Sequence, residues 1–143
     1  MITGLENLSE SVRKLNEALR KNYNRVDILG TKYEIVTQKV SENPKLENAN
    51  GLCEYYSKKI VIRDFEDERK DTMCFENLQE FERKVLRHEI IHAFLAESGL
   101  RSNSDWAENE EMVDWFAIQF PKMLKAFIDS NALPNFYTSD NKL

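Results

Sequence analysis

Val85-Leu86-Arg87-His88-Glu89-Ile90-Ile91-His92-Ala93-Phe94-Leu95 is an H-E-x-x-H pentad inside an apolar helical pattern, and it holds both histidines of the chain. Residues four apart on an α-helix lie one turn above each other, so His88 and His92 can aim two imidazole nitrogens at one point. Such a pair of nitrogen donors suits a zinc ion. Glu89 then faces the open side of the metal, where a carboxylate can take a proton from water.

The flanks predict a complete helix. Asn77-Leu78-Gln79-Glu80 reads as an N-cap with a capping-box glutamate three residues on, and Ser98-Gly99 reads as the C-terminal stop. Between them Leu78, Phe81, Val85, His88, His92 and Leu95 share one stripe, which puts the histidines where apolar side chains would point inward. Core histidines with ordinary partners, or a chance pentad, are the plainer alternatives. Helix signals, inward stripe and a suitable downstream acid together favour a metal site.

At 143 residues and 41% hydrophobic, the composition predicts one globular domain spanning 1–143, with a polar tail from about 131. A net charge of −5 argues against a nucleic-acid partner, because phosphate binding needs clustered Lys and Arg. Neither a signal peptide nor an apolar run of transmembrane length is visible, so a soluble cytoplasmic protein without a membrane partner is expected. Cys53 and Cys74 form no C-x-x-C pair and are expected to be reduced, structural thiols.

Leu5 to Tyr23 reads as an amphipathic helix on Leu8, Val12, Leu15 and Leu19, with a solvated charged face. From Arg25 to about Val40 the residues are β-formers, with a turn at Gly30-Thr31, and predict a strand. Ser41 to Asn50 is a loop. Gly51 to Tyr56 and Ile60 to Arg63 predict two strands joined by the tight polar turn Ser57-Lys58-Lys59. The expected fold is therefore α+β: a small, mostly antiparallel three-stranded sheet against the pentad helix, an N-terminal helix and a C-terminal helix. Asp64 to Asp71 is a charge run expected to be a solvated loop or short helix.

Asp105-Trp106-Ala107-Glu108 resembles a second capping box, and the helix after it reaches Pro121, which kinks it or opens a new helix to about Ser130. A catalytic zinc takes three protein ligands plus water, so an acid must join the two histidines. Glu108, Glu110 and Glu111 are the candidates. Glu110 shares the inward stripe of Val113, Ala117, Phe120 and Leu124, which favours it over Glu111, whose face carries Ile118 and Lys122, and over Glu108. Asp114, one turn beyond Glu110, can hydrogen-bond the ring N–H of a ligating histidine.

His88-Glu89-Ile90-Ile91-His92 followed by Glu110-Glu111-Met112-Val113-Asp114-Trp115-Phe116-Ala117 resembles the minimal zincin metallopeptidases of the ImmA/IrrE-like type, and more closely small phage-encoded metallopeptidase-like proteins. The likeness covers roughly residues 25 to 127, including the Gly51 to Arg63 hairpin. It implies a zincin-like fold, Zn2+ as cofactor, Glu110 as third ligand, and the cytoplasm of a phage host as location. The residue four past the ligand glutamate is commonly Asn in ImmA-like sequences and is Asp114 here.

The chemistry implied is hydrolysis of a peptide bond in a narrow protein substrate, with zinc on His88, His92 and Glu110 and with Glu89 as general base. Tyr55, Tyr56 or a backbone N–H would stabilise the oxyanion. Lys59 to Arg63, through Ile60 and Ile62, is the expected edge strand for an extended substrate. The alternatives are a catalytically silent zincin fold that keeps metal for structure or for a protein partner, and a helical interaction protein without metal.

Overall fold

The computed structural model describes residues 10, 11, 14, 15, 24–65 and 77–135. Four strands form one mixed sheet: β1 (Arg25–Ile28), β2 (Thr31–Gln38), β3 (Gly51–Glu54) and β4 (Lys59–Arg63), in the order β1-β2-β4-β3. Two long helices follow, α1 (Leu78–Glu97) and α2 (Glu110–Asp129), so the described part of the chain is α+β as expected.

The expected small, mostly antiparallel three-stranded sheet is corrected in its strand count and in its strand order. Arg25 to Val40 is a hairpin rather than one strand: Leu29 and Gly30 both take positive φ, and Gly30 N–H donates to Asp27 Oδ1 at 2.8 Å. Tight hairpins require that left-handed backbone. After β2 the chain also does not add its next strand alongside. It passes through a 3-10 turn (Pro44–Asn48), capped by the Asn43 side chain, and lays β3 at the far edge. β4 then returns into the gap, antiparallel to β3 and parallel to β2, with Ile35 opposite Ile60 and Thr37 opposite Ile62.

β4 is therefore the central strand on this side, and Ile60, Val61 and Ile62 are all buried. A continuous apolar run is what a strand with both faces covered needs. The core gathers Ile28, Tyr33, Ile60 and Ile62 from the sheet against Val85 and Ala93 of α1. A second cluster, Leu95 with Ala107 and Val113, joins α1 to the start of α2.

The end of α1 is held to the hairpin through Glu97. Its carboxylate accepts from the Tyr33 hydroxyl at 2.7 Å and the Thr31 hydroxyl at 3.2 Å, and it pairs with Lys58. Those donors hold Glu97 below the usual carboxylate range, with the Lys58 contact the largest cause. They also offset an acidic residue beside the negative end of the helix dipole.

At the start of α1, the Asn77 side chain accepts from Glu80 N–H as the cap motif predicts, while the Glu80 side chain pairs with Arg83. The helix stops at Gly99, φ 81°. The expected second capping box is not a helix start. Asp105–Glu108 is a 3-10 turn, and α2 begins one turn later under Asn109, whose side chain accepts from Met112 N–H at 2.8 Å.

Pro121 neither ends α2 nor opens a new helix. A proline leaves the carbonyl four residues back without its helical donor. That carbonyl belongs to Ala117, and Arg87 Nε of α1 donates to it at 2.6 Å. One guanidinium thus repairs the proline's defect and ties the two helices together. On α2 Val113 and Ala117 are buried as predicted, but Phe120 is 45% exposed.

Of the predicted N-terminal helix, Glu10, Ser11, Lys14 and Leu15 are helical and Leu15 is exposed; Leu8, Val12 and Leu19 lie outside the described residues. So do most of the charge run, Cys74 and the end of the tail, although Phe65 within that run is buried and meets Phe81 edge-on. No helix among the described residues is long and apolar enough to cross a membrane.

Candidate metal centre

His88 and His92 lie one turn apart on α1, and their rings meet edge to face with centroids 4.8 Å apart. Glu110, the first residue of α2, reaches both. Its Oε2 lies 3.0 Å from His88 Nε2 and 3.3 Å from His92 Nε2, and the two ring nitrogens are 3.1 Å apart. The two acids considered beside it point elsewhere: Glu108 lies 3.9 Å from Arg101, and Glu111 is exposed outside the cluster.

Asp114 sits behind the first histidine. Its Oδ1 is 3.2 Å from His88 Nδ1, and Lys84 pairs with the same oxygen. The lysine contact is the largest cause holding Asp114 below its usual range, so it is ionised and can only accept. His88 Nδ1 must therefore carry a proton, and a neutral ring then turns the lone pair of Nε2 toward Glu110 and His92.

Two lone-pair donors and a carboxylate oxygen converging on one point need a shared cation or extra protons. Burial pushes His92 below its ordinary value, which favours the neutral, ligating form. Donors held about 2.0–2.2 Å from a tetrahedral ion stand about 3.3–3.6 Å from each other. The observed 3.0–3.3 Å separations fit a site that a zinc-sized ion opens slightly. The Glu110 side chain is 69% exposed, which leaves one side of the cluster open to solvent. His92 Nδ1, in contrast to His88 Nδ1, is buried without a hydrogen-bond partner among the described residues.

Glu89, between the two histidines in sequence, lines the same cleft and is 6% exposed. Burial, with the Glu110 charge second, raises its carboxyl to about 7, a value suited to taking and returning a proton near neutrality. Room for it comes from Gly51 at the start of β3. A Cβ there would stand 2.8 Å from Glu89 Cγ, Glu89 Oε1 and Val85 Cγ1.

A cleft of about 450 Å3 runs between the beginning of β3 and the pentad face of α1, and Arg101 and Lys84 also line it. Its strand is β3, the edge of the sheet among the described residues. The expectation that Lys59 to Arg63 is the edge is overturned. β4 is paired on both sides, so Ile60 and Ile62 have no free main chain to offer and their side chains are core. Tyr55 and Tyr56 do not line the cleft either: Tyr55 packs on the core beneath Arg101, and Tyr56 is exposed at the turn.

On β3, Arg63 N–H donates to Asn50 O at 2.9 Å, and antiparallel pairing alternates, so Gly51 and Cys53 turn their main-chain groups toward the free edge. Cys53 is a free thiol whose burial pushes it up to about 12. Gly51, Lys84 and Arg101 carried no motif that spacing could flag.

No family model matches the chain, and comparison with curated proteins and with solved structures gives no match.

Proposed function

We propose that this protein is a zinc-dependent metallopeptidase with a zincin-like site that hydrolyses a peptide bond in a protein substrate. The observation that carries the reading is the convergence of His88 Nε2, His92 Nε2 and a Glu110 carboxylate oxygen on one point, in a cleft that the buried Glu89 also lines. H-E-x-x-H on one helix and an acid from the next is a three-ligand set with one open position. A zinc ion held there would supply Lewis acidity, making water a stronger acid and drawing charge from a carbonyl oxygen.

The chain's own residues do the rest. Glu89 takes the proton of the attacking water at its carboxylate and hands it to the amine nitrogen as the C–N bond breaks, which returns Glu89 to its starting state. Desolvation raises the proton affinity of Glu89 for the first transfer, and the Lys84 charge opposes that rise, which eases the second. Asp114, held by Lys84, fixes the His88 ring so that Nε2 faces the cleft. Gly51 and Cys53 offer a free strand edge on which an extended peptide can align by main-chain hydrogen bonds.

The test is cleavage of a proteome-derived peptide library by zinc-loaded protein, read as new termini by mass spectrometry. The parent should cut, and Glu89→Gln should bind zinc equally while cutting about 10²–10⁴-fold more slowly. Parent-level cleavage by Glu89→Gln would contradict the mechanism.

A further inference from the structure

Among the described residues, Arg101 is the one cation of the cleft without a hydrogen-bonded acid. Of the charged side chains on the cleft wall, Lys84 is paired with Asp114, Glu110 meets the two histidines, and Glu89 is buried. Among the described residues the one acidic neighbour of Arg101 is Glu108, at the ion-pair distance of 3.9 Å and beyond hydrogen-bond reach. A guanidinium has five N–H donors. Among the described residues none of those on Arg101 meets an acceptor.

The side chain is nevertheless held in place. Its main-chain N–H donates to Leu95 O at 3.0 Å, which fixes the backbone just past the end of α1, and its guanidinium carbon lies 4.8 Å above the Tyr55 ring. Stacking on an aromatic face immobilises a guanidinium while leaving its edge free, so little side-chain entropy is lost when that edge binds a ligand. Arg101 lines the same cleft as His92 and Glu110 of the proposed metal position and as Gly51 and Cys53 of the free β3 edge.

We infer that Arg101 is a specificity-determining residue that binds a substrate carboxylate, so that the cleft selects peptides carrying an acidic side chain or a free C-terminal carboxylate next to the bond that lies over Glu89. Planar guanidinium and planar carboxylate match in two parallel hydrogen bonds, an arrangement stronger than neutral contacts and selective for orientation. The inference rests on the peptidase reading.

The experiment uses Glu89→Gln protein loaded with zinc, with zinc content measured in every preparation, and three fluorescein-labelled hexa-alanine probes followed by fluorescence anisotropy. One probe ends in a free carboxylate, one in an amide, and one is the amide with a central glutamate. At least one carboxylate probe should bind about tenfold or more tightly than the neutral amide, and which one does so identifies the source of the carboxylate. Adding Arg101→Gln should bring all three within about twofold at unchanged zinc content, and Arg101→Lys, which keeps charge but loses the fork, should fall between. Equal binding of the three probes to zinc-loaded protein, or a preference that survives Arg101→Gln, overturns the inference and leaves the peptidase reading standing. Failure of the chain to take up zinc overturns both.

Discussion

Glu89 occupies the space that a side chain at position 51 would need, and this one contact joins the sheet edge to the proposed chemistry. Gly51→Ala should cost about 1–3 kcal/mol in urea denaturation, the range for overpacking a close contact. Part of that cost should vanish in a Glu89→Ala background, leaving the share due to Val85. A cost unchanged by Glu89→Ala would mean that the carboxyl is not what crowds the glycine. Cys53, on the same strand, has its thiol pushed up to about 12 by burial, so it stays protonated at neutral pH. In a Cys74→Ser protein, iodoacetamide at pH 8 should modify Cys53 far more slowly than it modifies a free thiol of ordinary acidity, and denaturant should abolish the difference. At this scale the sequence was legible where chemistry follows spacing: His88, Glu89 and His92 sit in one pentad, and the inward face of the next helix singled out Glu110. Gly51 and Arg101 were not legible, because each gains its role from a distant element that packs against it.

The two helices divide the proposed ligand set, His88 and His92 on one and Glu110 on the other, so the cluster is only as well formed as their docking. Arg87 supports that docking by donating to the Ala117 carbonyl that Pro121 deprives of its helical donor. Arg87→Met should therefore destabilise the fold by about 1–3 kcal/mol, the cost of a carbonyl left without a donor. Pro121→Ala, which restores the helix's own N–H, should shrink that penalty in a double-mutant cycle measured by chemical denaturation. Additive penalties would show that the two residues act separately. Asn109→Ala removes the cap of α2 directly beside Glu110 and should cost about 0.5–2 kcal/mol while weakening zinc binding in a competition titration. Unchanged zinc affinity would mean that the helix start does not position the ligand. Helix ends were readable because their signals are local: Asn77 before α1 and Gly99 after it. The 3-10 turn at Asp105–Glu108 copied a capping box in sequence, yet Asn109 caps the helix. The strand order was not readable, since alternation gives each strand's faces but not its neighbours, and β4 enters between two strands already laid down.

Across the whole molecule, the β1–β2 hairpin, the turn between β3 and β4 and the end of α1 are linked through Glu97 and the donors Thr31, Tyr33 and Lys58. Glu97 is held below its usual carboxylate range, so its contribution to stability is complete above the unfolded carboxylate value near 4.5 and is lost as pH falls through the folded value. Thermal unfolding between pH 6 and pH 3 should show Glu97→Gln losing less stability on acidification than the parent; an equal loss would remove Glu97 from the acid response. A metal that binds only the folded chain adds stability by mass action, about 2.7 kcal/mol at a hundred times its dissociation constant, so a chelator should lower the melting temperature of the parent but not of His92→Ala. The central claim is that two histidines of one helix and the first residue of the next form a single metal centre. It is tested most directly by elemental analysis of untagged parent, His92→Ala and Glu110→Ala after zinc loading and desalting. The account predicts about one zinc per parent chain, none in His92→Ala, and a marked loss in Glu110→Ala. A parent chain that retains no zinc, or a His92→Ala chain that retains as much as the parent, would contradict it.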